Sequence, residues 1–160
     1  MARRTPLVSS LKKDETITLM KTFLKLGLRR LRRRAVVGGN TMKWDVEYTD
    51  EFGAWWNTLS ENEQEDVVAH VGLLEEKGTQ LPFPYSTGIE GSKFSHMREL
   101  RIQSKTNPIR VLYAFDPRRT AILLIGGNKR GDKRWYEKYV PIADKLYADH
   151  LAELKKERLL

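Results

Sequence analysis

The sequence predicts an α+β domain: a small, mainly antiparallel four-stranded sheet with two N-terminal helices and one C-terminal helix packed on it. Two observations carry that prediction. Three apolar, strand-like runs follow one another between Met97 and Ile125, separated only by short polar links. Segments with helical spacing flank them on both sides, so strands and helices are segregated along the chain rather than alternating.

The first element of the domain is Lys43–Tyr48, KWDVEY, where Trp44, Val46 and Tyr48 alternate with Lys43, Asp45 and Glu47. That is the period of a half-buried strand. Thr49 and Asp50 offer a cap for a short helix running through Trp55 and Trp56 to about Leu59. Ser60 with Glu63 three residues later forms a capping box, in which hydroxyl and carboxylate satisfy two free backbone N–H groups at a helix start. The second helix presents Val67, Val68, Val71 and Leu74 on one face and closes at Lys77–Gly78. Pro82 and Pro84 punctuate the loop after it.

Met97–Gln103 is then a strand with Leu100 and Ile102 inward. Ile109–Phe115 is the next, and Thr120–Ile125, apolar on both faces, is central. Links at Lys105–Pro108 and Asp116–Arg119 are short enough for an antiparallel meander. Pro141 is placed as the first residue of the last helix, where its missing N–H would be unpaired anyway. Ala143, Leu146, Tyr147, His150, Leu151 and Leu154 line one face of that helix.

Composition sets the limits of function. The chain has 160 residues, 40% of them hydrophobic, no cysteine and a net charge of +8. It holds neither a disulfide framework nor a thiolate metal site, and its longest apolar run, AILLI, is far below the roughly 20 residues of a membrane span. A cytoplasmic protein is the expectation.

The charge is unevenly placed. Residues 1–41 carry 11 Lys/Arg against 2 Asp/Glu, residues 42–90 carry 2 against 11, and residues 91–138 carry 12 against 4. The chain therefore divides into a basic N-terminal extension, 1–41, and a nearly neutral domain, 42–158, with one acidic and one basic half. Within the extension, Asp14–Arg34 has near-helical apolar spacing and ends in LRRLRRR before the Gly38–Asn40 linker. It reads as a nucleic-acid or membrane-surface arm, as a loosely ordered tail, or as sequence upstream of a start at Met42.

The chemistry is concentrated in one stretch. His70, His96 and His150 fall into no close ligand spacing, and there is no nucleophile elbow and no phosphate-binding P-loop. What remains is Arg110, in the otherwise apolar strand IRVLYAF, and the run Lys129, Arg130, Lys133, Arg134 leading to Tyr136. Converging cations hold a phosphodiester and stabilise the extra charge of its transition state. RNA brings its own nucleophile, the 2′-hydroxyl, so a base, an acid and a cationic clamp suffice for cleavage. Tyr136 is the candidate base, on the expectation that neighbouring positive charge lowers its pKa. Structural readings stand beside these: Arg110 as an ion-pair partner of Glu99 or Asp116, and Tyr136 as packing at the helix entrance with Trp135 and Tyr139.

The order of elements, with ELR at 99–101, IRVLYAF at 109–115, AILLIGG, NKRGDKRWY and the helix IADKLYADHLAEL, resembles the RelE/HigB superfamily of toxin–antitoxin toxins, in its phage-derived branch. The resemblance covers residues 42 to about 155. It implies a RelE-like fold and a metal-independent endoribonuclease without cofactor, acting on mRNA, often on the ribosome, and neutralised by a cognate antitoxin. It places Arg110, Arg130 and Tyr136 at catalytic positions and makes Arg101 of ELR a family feature of the sheet. Arg98, Arg101, Lys129, Lys133 and Arg134 are the candidate RNA-binding residues. One departure is visible: where RelE-type enzymes carry lysines on the strand before Arg110, this chain has Met97 and Glu99. Two further readings stay open, a gyrase-directed ParE-like toxin of the same fold and a non-catalytic nucleic-acid-binding module using the basic arm.

Overall fold

The computed structural model describes residues 43–160 and the backbone of Thr5 and Pro6. The helix expected over Asp14–Arg34 and the Gly38–Asn40 linker lie outside the described residues. Among the described residues six strands form one sheet: β1 (Thr5–Pro6), β2 (Val46–Tyr48), β3 (Ser86–Gly88), β4 (Arg98–Ser104), β5 (Asn107–Phe115) and β6 (Ala121–Asn128). Three α-helices accompany them among the same residues: α1 (Asp50–Trp56), α2 (Glu61–Lys77) and α3 (Trp135–Lys156). The sheet order is β1-β2-β6-β5-β4-β3.

The four-stranded, mainly antiparallel expectation is corrected in two ways. β2 pairs parallel with β6, Val46 opposite Ala121 and Tyr48 opposite Leu123, so the sheet is mixed. The chain leaves β2 into α1 and α2 and returns to it only with β6, the last strand of the β4–β5–β6 meander, a connection long enough for parallel pairing. The added strands are β1 and β3. β3 hides in the loop after Pro84 because Ser86–Gly88 has no apolar alternation; it pairs antiparallel with β4 through its main chain, Ser86 opposite Leu100.

Local signals placed α1 and α2. Thr49 caps α1 by accepting from the Phe52 N–H at 3.1 Å while its own hydroxyl donates to the Leu124 carbonyl at 2.6 Å, tying the helix start to β6. The capping box at α2 is complete, Ser60 Oγ accepting from Glu63 N and Glu63 Oε1 from Ser60 N. Alternation along the strands then sorts the core into two layers. Leu100, Ile102, Ile109, Val111, Tyr113, Ala121 and Leu123 face α1 and α2. Met97, Leu112, Ala114, Ile122 and Leu124 face α3.

The last helix corrects a second expectation. α3 begins at Trp135, not at Pro141, and Pro141 lies inside it. An interior proline forfeits a backbone hydrogen bond and costs ~3 kcal/mol in an isolated helix. Here packing outweighs that: Trp135 is buried and stacks on Tyr139, ring centroids 4.6 Å apart, both against Gly127. A Cβ at Gly127 would stand 2.7 Å from Trp135 Nε1. The bare backbone of β6 therefore lets the first turn of α3 lie down on the sheet, and that turn carries Tyr136.

Candidate active site

On the α3 side of the sheet the apolar layer gives way, toward the β4–β5 turn, to polar side chains. The pairing of β4 with β5 sets Arg101 opposite Arg110 and Glu99 opposite Leu112. Arg110 is 7% exposed and Glu99 2%, both deep for charged groups. Such burial is tolerable only when the charges are partnered.

Glu99 is the hub. Its Oε2 accepts from the Tyr136 hydroxyl at 2.8 Å and lies 3.9 Å from Arg110 Nε. Its Oε1 accepts from Thr87 Oγ1 at 3.0 Å and from Arg101 Nη1 at 3.3 Å. Arg110 Nη1 donates to the Ile109 carbonyl at 3.0 Å, while its Nε is buried without a hydrogen bond. Lys129 closes the other side, its ammonium 3.4 Å from the Tyr136 oxygen and 4.8 Å from the centre of the ring.

Tyr136 is a phenol here, not a phenolate. Its pKa is raised above the ordinary value, first by burial and then by the hydrogen bond and charge of Glu99, with Arg110 pulling the other way. The expectation that surrounding cations lower it is corrected: the nearest strong partner is a carboxylate. The hydroxyl proton is directed at Glu99 Oε2.

The remaining site candidates divide. Arg101 and Lys129 belong to the cluster. Arg130 is exposed on the loop after β6 and its Nη1 donates to Thr106 Oγ1 at 3.1 Å, joining that loop to the β4–β5 turn. Lys133 and Arg134 are exposed at the entrance of α3. Arg98 is on the opposite face, where its Nε donates to Ser86 Oγ at 3.0 Å, and it is not brought to the site.

Glu99 and Thr87 were not anticipated as site members. Glu99 carried a signal, a lone carboxylate in the strand RELRIQS. Thr87 carried none, since it arrives through a strand the sequence hides. Among the described residues no group of three or more His, Cys, Asp or Glu is arranged to hold a metal ion, and no helix is long and apolar enough to cross a membrane.

A small α+β domain with a buried arginine–carboxylate–tyrosine cluster at one end of its sheet defines the class. Residues 54–148 match the family described as phage derived protein Gp49-like, and the chain belongs to that family. Two proteins of Mycobacterium tuberculosis are similar to the chain in sequence. One, HigB2, whose name marks it as a candidate toxin, is 36% identical over 118 residues, 72% of this chain and 58% of the relative. The other, HigB3, a candidate toxin by its name as well, is 41% identical over 99 residues, 61% of this chain and 85% of the relative. The chain thus spans little more than half the length of the HigB2 relative and most of that of HigB3.

Proposed function

We propose that this protein is the toxin of a type II toxin–antitoxin module and acts as a metal-independent endoribonuclease on mRNA, in association with the ribosome and under control of a cognate antitoxin. The toxin names of the two relatives support the first part. The observation that carries the second is the Tyr136–Glu99–Arg110 cluster: a phenol hydrogen-bonded to a buried carboxylate, beside a buried guanidinium whose Nε has no hydrogen bond.

In the proposed reaction the scissile phosphate docks against Arg110 and Lys129, with Arg130 and Arg134 along the flanking backbone. The Tyr136 oxygen takes the proton of the 2′-hydroxyl as the phenol's own proton passes to Glu99 Oε2. The freed 2′-oxygen attacks the adjacent phosphorus, and the 5′-oxygen leaves as the 2′,3′-cyclic phosphate forms. Arg110 stabilises the added charge on the phosphoryl oxygens, where a guanidinium is a better clamp than a base. The leaving oxygen takes its proton from Lys129 or from water. No step draws on a cofactor.

The test is inducible expression of the wild type, Arg110→Ala and Tyr136→Phe, with growth and transcript 5′ ends followed together. The proposal expects arrest and new 5′ ends from the wild type and neither from the variants. Arrest undiminished in both variants would sink it.

A further inference from the structure

Phe83 is 69% exposed, an unusual position for a large apolar ring on a small domain. It is not adrift: the Arg101 guanidinium lies over it, 5.6 Å from the ring centre. Arg101 is held from two directions, its backbone N–H donating to the Tyr85 carbonyl at 2.8 Å and its Nη1 to Glu99 Oε1. Since Glu99 also receives the Tyr136 hydroxyl, one continuous path of contacts runs from Phe83 through Arg101 and Glu99 to the proposed reaction centre. Pro82 and Pro84 on either side restrict the backbone, so little order is lost when something docks.

An exposed π face next to a guanidinium plane, one contact removed from a phosphate clamp, has the chemistry of a site for an unpaired nucleobase. We propose that Phe83 and Arg101 form a base-stacking subsite that holds a nucleotide neighbouring the scissile phosphate. This inference rests on the ribonuclease reading and adds to it a place for a base. Every base has a π face, so the subsite favours single-stranded over paired RNA and discriminates weakly among bases.

The experiment uses the purified full chain and a short single-stranded RNA, with a 2′-O-methyl version of the same oligonucleotide for binding without cleavage. Phe83→Ala should weaken binding of the 2′-O-methyl oligonucleotide about 5- to 100-fold, the range for loss of one stacked base. KM for the cleavable RNA should rise in step, and kcat change less. Phe83→Trp should restore both, and Phe83→Leu should not. Circular dichroism should be unchanged in all three, since the ring is on the surface. If the wild type cleaves, Tyr136→Phe does not, and Phe83→Ala binds and cleaves as the wild type does, the subsite is overturned and the ribonuclease reading stands. If Phe83→Ala loses only affinity for the antitoxin, the ring belongs to a protein contact and the subsite is again overturned. If the wild type does not bind the 2′-O-methyl oligonucleotide, the subsite is overturned, while the ribonuclease reading, which puts cleavage on the ribosome, is decided separately by transcript 5′ ends after induction.

Discussion

Glu99 and Asp116, both buried, sit on the α3 side of the sheet near opposite ends of that helix, and their surroundings differ in kind. Asp116, just after β5, is saturated. It accepts from Arg118 Nε and Nη2 at 3.0 and 2.7 Å, from His150 Nε2 at 2.8 Å, and from the backbone N–H groups of Arg118 and Thr120. Arg118 is tied on to Glu47, while Tyr147 nearby, its phenol pushed up to about 12 mainly by burial, donates to the Phe115 carbonyl. Glu99 meets an arginine at 3.9 Å whose Nε has no hydrogen bond, and it is bordered by Lys129 and Arg101, which are partly open to solvent. A carboxylate that accepts from five donors has no capacity left and fixes the fold. A cluster that leaves a buried cation's donor free retains capacity for an anion.

Predictions follow that separation, from the largest expected effect down. Arg110→Ala and Tyr136→Phe should each reduce RNA cleavage per folded molecule by about 10²–10⁴-fold, the range for a lost clamp or proton-transfer group, with Tm lowered more by Arg110→Ala, which removes a partner of the buried Glu99, than by Tyr136→Phe. Cleavage kinetics and thermal melts on the same preparations check both halves. Asp116→Ala should do the reverse. It strands Arg118 and His150 and should lower stability by about 3–5 kcal/mol in denaturant titration, while activity per folded molecule is kept.

The pH dependence distinguishes the ends as well. Burial alone would raise Asp116, but its bonds with His150 and Arg118 hold it below its ordinary value of 3.8. A carboxylate depressed by folding stabilises the protein above its unfolded pKa, and that contribution is lost as pH falls through the folded value. Asp116→Asn should therefore flatten the acid limb of the stability curve. Glu75 of α2 behaves oppositely: burial raises it from 4.5 to about 7. Between those values the folded state binds more protons than the unfolded one, so stability falls as pH rises. Glu75→Gln should stabilise the protein by on the order of 1–3 kcal/mol at pH 8 and by little at pH 4, read from paired denaturant titrations. The smallest effect is expected at Arg98, across the sheet from the cluster: Arg98→Ala should change cleavage less than about twofold.

Much of the fold was legible because its signals are local. The Ser60–Glu63 capping box, the Val67–Leu74 face of α2 and the two-sided apolar run of β6 each stand where the sequence puts them. What escaped depends on distant partners. β3 is a strand only because β4 is there to pair with it. α3 starts six residues before Pro141 because Trp135 and Tyr139 find Gly127 across the sheet. For the site, the sequence offered Glu99 and Asp116 as partners for Arg110, and strand register decides between them: Glu99 takes Arg110, while Arg118 and His150 occupy Asp116. The same register reverses the expected shift at Tyr136. Charge counted along the chain sees the cations from Lys129 to Arg134, whereas the carboxylate that matters is 37 residues away.

Transcript 5′-end mapping after a short induction, wild type beside Arg110→Ala at matched protein levels, tests the cluster most directly. New 5′ ends within messages, present with the wild type and absent with Arg110→Ala, are the predicted result. Growth arrest without new ends, or the same ends from both proteins, would contradict it.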